Sequence, residues 1–337
     1  MWLNNIFKRE SKATTTPLFD EAFLRRLERL SFRTVPALRG VMAGERRSRN
    51  LRPALDFSDH RAYTRGDDLR YIDWKTYSRH EELFVKLGEA PQSVNVHILV
   101  DCSRSMSWAA LQAEATRRNG SRTSTLNKWD AARRLAGALS YLSLSGGERL
   151  FITPFIPNLS QGFGPTQGKR QIIPALKYIS SLSPVPSSKR NVAAELTQSL
   201  TTYAHSHPQG GFLIIVSDLL DAAASAEAGQ GADWLAEGLR HLPPPRWQVI
   251  VMHMLSEQEV NPDFEGDFDL QDMETGERLP FRVDQQILSQ YRLRVRRWCG
   301  ELQTACGQRA AIYARILAEW PFERMVIPYL RQRGAIQ

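Results

Sequence analysis

Val94–Val100 is a mostly β-branched and apolar run, interrupted by Asn95 and His97, that ends abruptly at Asp101, and few environments accept such a run. A strand with one face in water alternates polar with apolar residues, whereas a strand covered on both faces reads as a continuous apolar stretch. Phe212–Val216 repeats the pattern and ends in Ser217-Asp218. Around these runs the text alternates. Lys128–Leu144 has helical periodicity (Trp129, Ala132, Leu135, Ala136, Leu139, Leu142) and stops at Gly146-Gly147, and Glu148–Phe155 reads as a strand. Helices follow over Lys169–Leu182, Asn191–His205 and Trp234–Leu242, then a strand at Trp247–Met254, a long Arg-bearing helix at Gln285–Cys306, a short strand at Ala310–Ile316 and a closing helix at Phe322–Arg333. Strands alternating with helices predict an α/β fold on a doubly wound, mostly parallel sheet.

The organisation along the chain follows from where that alternation begins. Residues 1–18 read as a flexible leader and 19–90 as a small N-terminal accessory subdomain containing β-structure, with the sheet domain over 91–333. Within the accessory part, Phe19–Leu30 has the spacing of an amphipathic helix, and Leu83-Phe84-Val85 reads as strand. Ala109–Thr125 is polar and is expected as an exposed loop. Residues 256–283 show no clear period and are expected as a surface insertion between strand and helix.

Charge and cysteine usage narrow the function classes. The 337 residues carry a formal net charge of +8, which invites a nucleic-acid reading, but the charge comes in blocks of both signs. Residues 257–277 hold nine acidic side chains and no Lys or Arg, and 291–337 hold nine Arg against three Glu. Cys102, Cys299 and Cys306 have neither an even count nor metal-ligand spacing, so neither a disulfide framework nor a zinc site is expected. No secretory segment opens the chain, and no apolar run reaches the roughly 20 residues of a membrane span. A cytoplasmic protein is expected.

The chemistry concentrates at the two strand ends. In open α/β sheets ligands bind outside the carboxyl ends of the strands, where Asp101 and Asp218 both fall. Asp101, Ser103 and Ser105 can point the same way from one turn, offering a carboxylate and two hydroxyls, hard oxygen donors that with Asp218 make a candidate ligand set for Mg2+ or another divalent cation. A cation held largely by neutral hydroxyls stays electrophilic, and a carboxylate from another protein can complete its shell.

Val100-Asp101-Cys102-Ser103-Arg104-Ser105-Met106 resembles the metal-ion-dependent adhesion site of von Willebrand factor A domains. Tyr63-Thr64-Arg65-Gly66-Asp67-Asp68-Leu69-Arg70-Tyr71-Ile72-Asp73-Trp74, with Leu83-Phe84-Val85-Lys86, resembles the signature of the bacterial "domain of unknown function 58" proteins. Phe264-Glu265-Gly266 and Asp272-Met273-Glu274-Thr275-Gly276-Glu277 resemble it too. The resemblance implies a von Willebrand factor A-like, Rossmann-like domain behind a small β-rich segment, and a MoxR-type AAA+ ATPase as partner. In the adhesion site a Thr ahead of a later helix completes the ligand set. The matching stretch here is Ser187-Ser188-Lys189-Arg190-Asn191, with Arg190 near the expected Thr. Two alternatives follow. Either Ser187 or Ser188 supplies the hydroxyl, or Arg190 pairs with Asp101 or Asp218 and takes the ion's electrostatic place. A guanidinium ~4 Å from a dication would be repelled by ~8 kcal/mol at an effective dielectric of 20.

Each motif also has a plainer reading. Strand-end Asp residues cap helices and brace turns without any ligand. In the signature, Gly66 suits a tight turn, and Asp67, Asp68 and Asp73 are expected to pair with Arg65, Arg70 or Lys75, with Trp74 as a buried anchor or, alternatively, an exposed aromatic at a partner surface. Cys102 is expected to face the core, and His97, His241 and His253 form no nucleophilic triad. The leading expectation is a non-enzymatic protein-interaction module. A metal-dependent hydrolase using Asp101 and Asp218 is the alternative, and a basic nucleic-acid binder is the third.

Overall fold

The structure, a computed structural model, describes residues 25, 27, 51–53, 59–65, 67–80, 82–89, 93–107, 127–155, 159–185, 192–220, 232–271 and 278–335. The leader over 1–18, the loop expected at 109–125, and Gly66, Ser187, Ser188 and Arg190 lie outside the described residues. Of the helix expected at 19–30, Arg25 and Leu27 are described; both are helical, and Leu27 is buried in the main core.

In chain order the elements begin with β1 (Leu51–Pro53), β2 (Asp59–Ala62), α1 (Trp74–His80) and β3 (Phe84–Glu89). The sheet domain follows with β4 (Asn95–Asp101), α2 (Lys128–Ser145), β5 (Arg149–Phe155), β6 (Phe163–Gln167), α3 (Ile172–Ser181) and α4 (Val192–Ser206). It continues with β7 (Gly211–Ser217), α5 (Asp233–Arg240), β8 (Trp247–Leu255), α6 (Glu257–Val260), β9 (Gly266–Gln271), β10 (Arg278–Val283), α7 (Gln285–Gln308), β11 (Ile312–Leu317) and α8 (Ile327–Gln332). Three antiparallel strands in the order β1-β3-β2 make a small sheet ahead of β4.

The central sheet has six strands in the order β11-β8-β7-β4-β5-β6. All neighbours are parallel except β6, which lies antiparallel on the β5 edge. Counted within the sheet and read from β6, the order is 3-2-1-4-5-6, that of a doubly wound fold whose switch point lies between its first and fourth strands. Those strands are β4 and β7.

Burial on both faces explains the apolar runs. Val96, Ile98 and Val100 of β4 enter a core with Leu135 and Leu139 of α2, Ile179 of α3 and Leu330 of α8. Leu99 of β4 and Leu213 and Ile215 of β7 enter a second core with Leu200 of α4, Leu239 of α5 and Leu302 of α7. Neither strand has a face left for water: β7 is apolar from Phe212 to Val216, and the polar Asn95 and His97 of β4 are themselves buried, bonded to the Gly210 carbonyl and the Tyr203 hydroxyl.

Two elements depart from the sequence expectation. β6 carries Gly164 and Pro165 and is half exposed, so it has no strand signal, and an edge strand is where proline is tolerated. The acidic insertion is not irregular throughout, because β9 and β10 pair as a two-stranded antiparallel ribbon in which Phe268 faces Phe281. Among the described residues no helix is long and apolar enough to cross a membrane.

Candidate functional site

β4 and β7 run side by side with Val100 paired to Val216, so the residues that follow, Asp101 and Ser217-Asp218, emerge together at the switch point. Asp101 is buried. Its Oδ1 accepts from the Ser103 N–H at 2.8 Å, and its Oδ2 accepts from the Ser217 hydroxyl. Ser217 Oγ in turn accepts from the Leu219 N–H at 3.0 Å. Leu219 has φ 53, a left-handed conformation that leucine adopts only where its surroundings hold it.

The Ser103 and Ser105 hydroxyl oxygens lie 2.9 Å apart. That is a hydrogen bond between the two hydroxyls, and its length is also close to the ~3.0 Å between two adjacent ligands of an octahedral ion with ~2.1 Å bonds. Among the described residues no three His, Cys, Asp or Glu side chains cluster as a metal site, so an ion here would draw on these hydroxyls with Asp101. The Val185 N–H donates to the Cys102 carbonyl at 2.7 Å and Val185 bridges Ser103. The chain leading toward 186–191 therefore meets the Asp101 loop, although Ser188 and Arg190 themselves are outside the described residues.

Asp218, expected beside Asp101 as a ligand, is otherwise engaged. Its Oδ2 accepts from Lys128 Nζ at 2.8 Å, and its Oδ1 accepts from the Leu220 N–H at 3.2 Å. Lys128 Nζ also donates to Glu259 Oε1 at 2.6 Å, and the Lys128 side chain is fully buried. The other oxygen of Glu259 is fixed by a capping box, accepting from the Ser256 N–H at 2.7 Å and the Ser256 hydroxyl at 2.9 Å. His253 braces the same turn. A carbonyl can only accept, so His253 Nε2 carries the proton it donates to the Asp218 carbonyl at 2.8 Å, leaving Nδ1 to accept from the Tyr313 hydroxyl at 2.6 Å.

Lys128 and Glu259 were not legible as site residues from periodicity. Lys128 opens α2, where the helix dipole disfavours a cation, and that wrong-signed charge was the available signal. Glu259 was visible only as the fourth residue of Ser256-Glu257-Gln258-Glu259, a helix-start pattern.

The electrostatics separate the two strand ends. Burial raises the Asp101 carboxyl to about 7, and the nearby Asp218 charge pushes the same way. Burial alone would lower Lys128, but Asp218 and Glu259 outweigh it and hold the ammonium above its ordinary value. Burial lowers His253 to about 3, so it is neutral. Cys102 lies in the core as expected, and burial pushes its thiol up to about 12, which makes it a poor nucleophile.

The signature stretch is architectural in most of its contacts. Asp67 accepts from Arg61 Nη2 through both oxygens at 2.9 Å and from the Thr64 N–H at 2.9 Å, so its partner is Arg61 rather than Arg65. Asp68 pairs with Arg70 at 2.6 Å. Asp73 accepts from the Lys75 and Thr76 N–H groups at 3.0 and 3.2 Å at the start of α1, and its own N–H donates to Phe84 of β3. Trp74 is a correction. It is 59% exposed, set edge-on to Tyr77 at 6.2 Å, because Asp73 rather than Trp74 points inward at the start of α1.

Among known proteins, the chain is 24% identical over 252 residues to uncharacterized proteins of Mycobacterium tuberculosis and Mycobacterium bovis, spanning 73% of this chain and 69% of theirs. Solved structures similar to it include the conserved hypothetical protein BatB from Bacteroides thetaiotaomicron (15% identity, TM-score 0.39, 72% of this chain and 99% of that one). An aerotolerance-related membrane protein from Bacteroides fragilis matches at 15% identity and TM-score 0.35, over 72% of this chain and 98% of that one. Residues 59–298 match the family described as "Protein of unknown function DUF58".

Proposed function

We propose that this chain, which belongs to the DUF58 family, is a von Willebrand factor A-like interaction module that docks an acidic group of a partner protein on its Asp101-Cys102-Ser103-Arg104-Ser105 loop. The strand order, with one antiparallel edge strand, supports the von Willebrand A-like part of this reading. One observation carries the rest. Asp101 is a buried carboxylate with no cationic partner among the described residues, and beside it stand two hydroxyls at the spacing of adjacent ligands.

Ser103, Ser105 and Asp101 would hold the divalent cation, which supplies an electrophilic centre for a carboxylate of the partner. The chain's own contribution is preorganisation. Ser217 and the Ser103 N–H fix the Asp101 carboxylate, and Val185 pins the loop through Cys102 and Ser103. A MoxR-type AAA+ ATPase is the proposed partner, on the strength of the family resemblance of residues 63–74 and 83–86.

Asp101, raised to about 7, is the carboxyl a hydrolase could use as a base, but as a ligand of the ion it would not be free for that role. Asp218 and Glu259 are committed to Lys128, and His253 is neutral with both ring nitrogens engaged, so none of them is a ready general base. The test is capture of the purified ATPase on immobilised protein. Retention with Mg2+, loss with a chelator, and loss in Asp101→Ala/Ser103→Ala are expected; equal retention by that double variant overturns the reading.

A further inference from the structure

Beyond the loop itself, we propose that Lys128 is an internal counter-cation that keeps Asp218 out of the ion's shell, so that the docking site carries one carboxylate rather than two. The inference rests on the docking reading and says what sets the charge of that site.

The argument begins with where the ammonium can go. Lys128 is the first residue of α2, whose Asn127 cap accepts from the Asp130 N–H at 2.6 Å and whose body fills the core beneath β4. The side chain is fully buried and its Nζ sits 2.8 Å from Asp218 and 2.6 Å from Glu259. Glu259 cannot follow a moving lysine, because Ser256 holds its second oxygen. Asp218 cannot turn toward the Asp101 loop without giving up Lys128 at Oδ2 and the Leu220 N–H at Oδ1. Breaking a buried pair by withdrawing one partner is strongly unfavourable, so the carboxylate stays.

Charge arithmetic gives the consequence. Counting the ion and its direct ligands, a dication with Asp101 alone keeps a net charge of about +1, whereas one with both Asp101 and Asp218 is neutral; in the first case the Lys128, Asp218 and Glu259 cluster beside it, one ammonium against two carboxylates, carries about −1. The first attracts a carboxylate from outside and the second does not. Lys128 is thus a positioning residue. It touches no partner, and it determines how much positive charge the loop presents.

Calorimetric titration of Mn2+ into the full chain and its variants tests this. Asp218→Asn keeps the shape of the side chain and an oxygen for Lys128, and its affinity for Mn2+ is expected within about twofold of the wild type, whereas Asp101→Asn loses about tenfold or more. Lys128→Met frees two carboxylates and is expected to bind Mn2+ about tenfold more tightly, a gain abolished in Lys128→Met/Asp218→Asn. An Asp218→Asn loss as deep as that of Asp101→Asn overturns the inference, as does a folded Lys128→Met that binds no more tightly than the wild type. Should Lys128→Met not fold, Asp218→Asn decides alone. A wild type that binds no Mn2+ removes the docking reading; binding gained in Lys128→Met would then still uphold the role of Lys128, and its absence there would overturn both.

Discussion

Asp101 and Asp218 follow neighbouring strands of one sheet and are equally buried, yet one is held by hydroxyl and amide groups while the other shares a lysine with Glu259. Sequence position does not distinguish them, since each stands at the end of a buried, largely apolar strand. The difference comes from what other elements deliver. α2 brings an ammonium to Asp218, whereas the loop after β4 brings the Ser103 N–H to Asp101 and β7 brings the Ser217 hydroxyl. Two carboxylates at one switch point therefore acquire different chemistry, one tied to an internal lysine that it shares with Glu259 and one left for a ligand to pair.

The largest effect expected of this contrast is on stability. Lys128→Met leaves Asp218 and Glu259 buried without their counter-charge and should cost about 3–5 kcal/mol, whereas Asp101→Asn should change stability by about 1 kcal/mol or less. Urea midpoints decide it, and equal losses would erase the distinction between the two strand ends. Acid sharpens the Asp218 side, where His253 holds the turn. Its folded pKa of about 3 lies below the 6.5 of an ordinary histidine, so only the unfolded chain takes up the proton between those values. The contribution is complete above pH 6.5 and is lost as pH falls toward 3, by about 2 kcal/mol between pH 6.5 and 5. His97, also lowered to about 3 by burial, adds in the same sense, whereas the Asp101 carboxyl, raised to about 7, takes up its proton in the folded chain first and opposes them below pH 7, so His253→Gln should remove most of the net slope of midpoint against pH between 6.5 and 5. An unchanged slope in that variant would contradict the neutral assignment.

On the Asp101 side, Ser217→Ala removes one of the donors to the carboxylate and should cost about 1–2 kcal/mol, with added Mg2+ recovering part of the loss. No recovery would mean that the carboxylate is not coupled to an ion. At the bottom of the scale stands Arg70→Ala, which breaks an ion pair of the same chemistry at an exposed position. Its midpoint should not shift measurably, because water screens such pairs, and a clear loss would show that burial is not what separates the pairs.

How much of this was legible in the sequence follows from what each residue faces. The sheet and the ends of β4 and β7 were readable because strands covered on both faces leave a largely apolar record, unbroken over Phe212–Val216 of β7 and interrupted by Asn95 and His97 in β4. β6 left none, being an exposed edge strand through Gly164 and Pro165. The β9–β10 ribbon pairs only with itself, so no core imposed a period on β9, although Leu279, Phe281 and Val283 alternate along β10. Trp74 was expected to be buried because large aromatics usually are, but the capping geometry of Asp73 turns it outward. Among the described residues, the basic side chain that meets Asp218 is Lys128, which lies 90 residues away in sequence and carries no motif. Periodicity reports which face of a helix is apolar; it does not report what a single charged residue meets across the fold.

The most direct test of the central claim is anomalous scattering from crystals soaked in Mn2+. A peak within bonding distance of Ser103 Oγ and Ser105 Oγ, beside Asp101 and away from Asp218, is the expected result, with Lys128 still between Asp218 and Glu259. An ion seated between Asp218 and Glu259 with Lys128 displaced, or no peak at the Asp101 loop at saturating Mn2+, would contradict it.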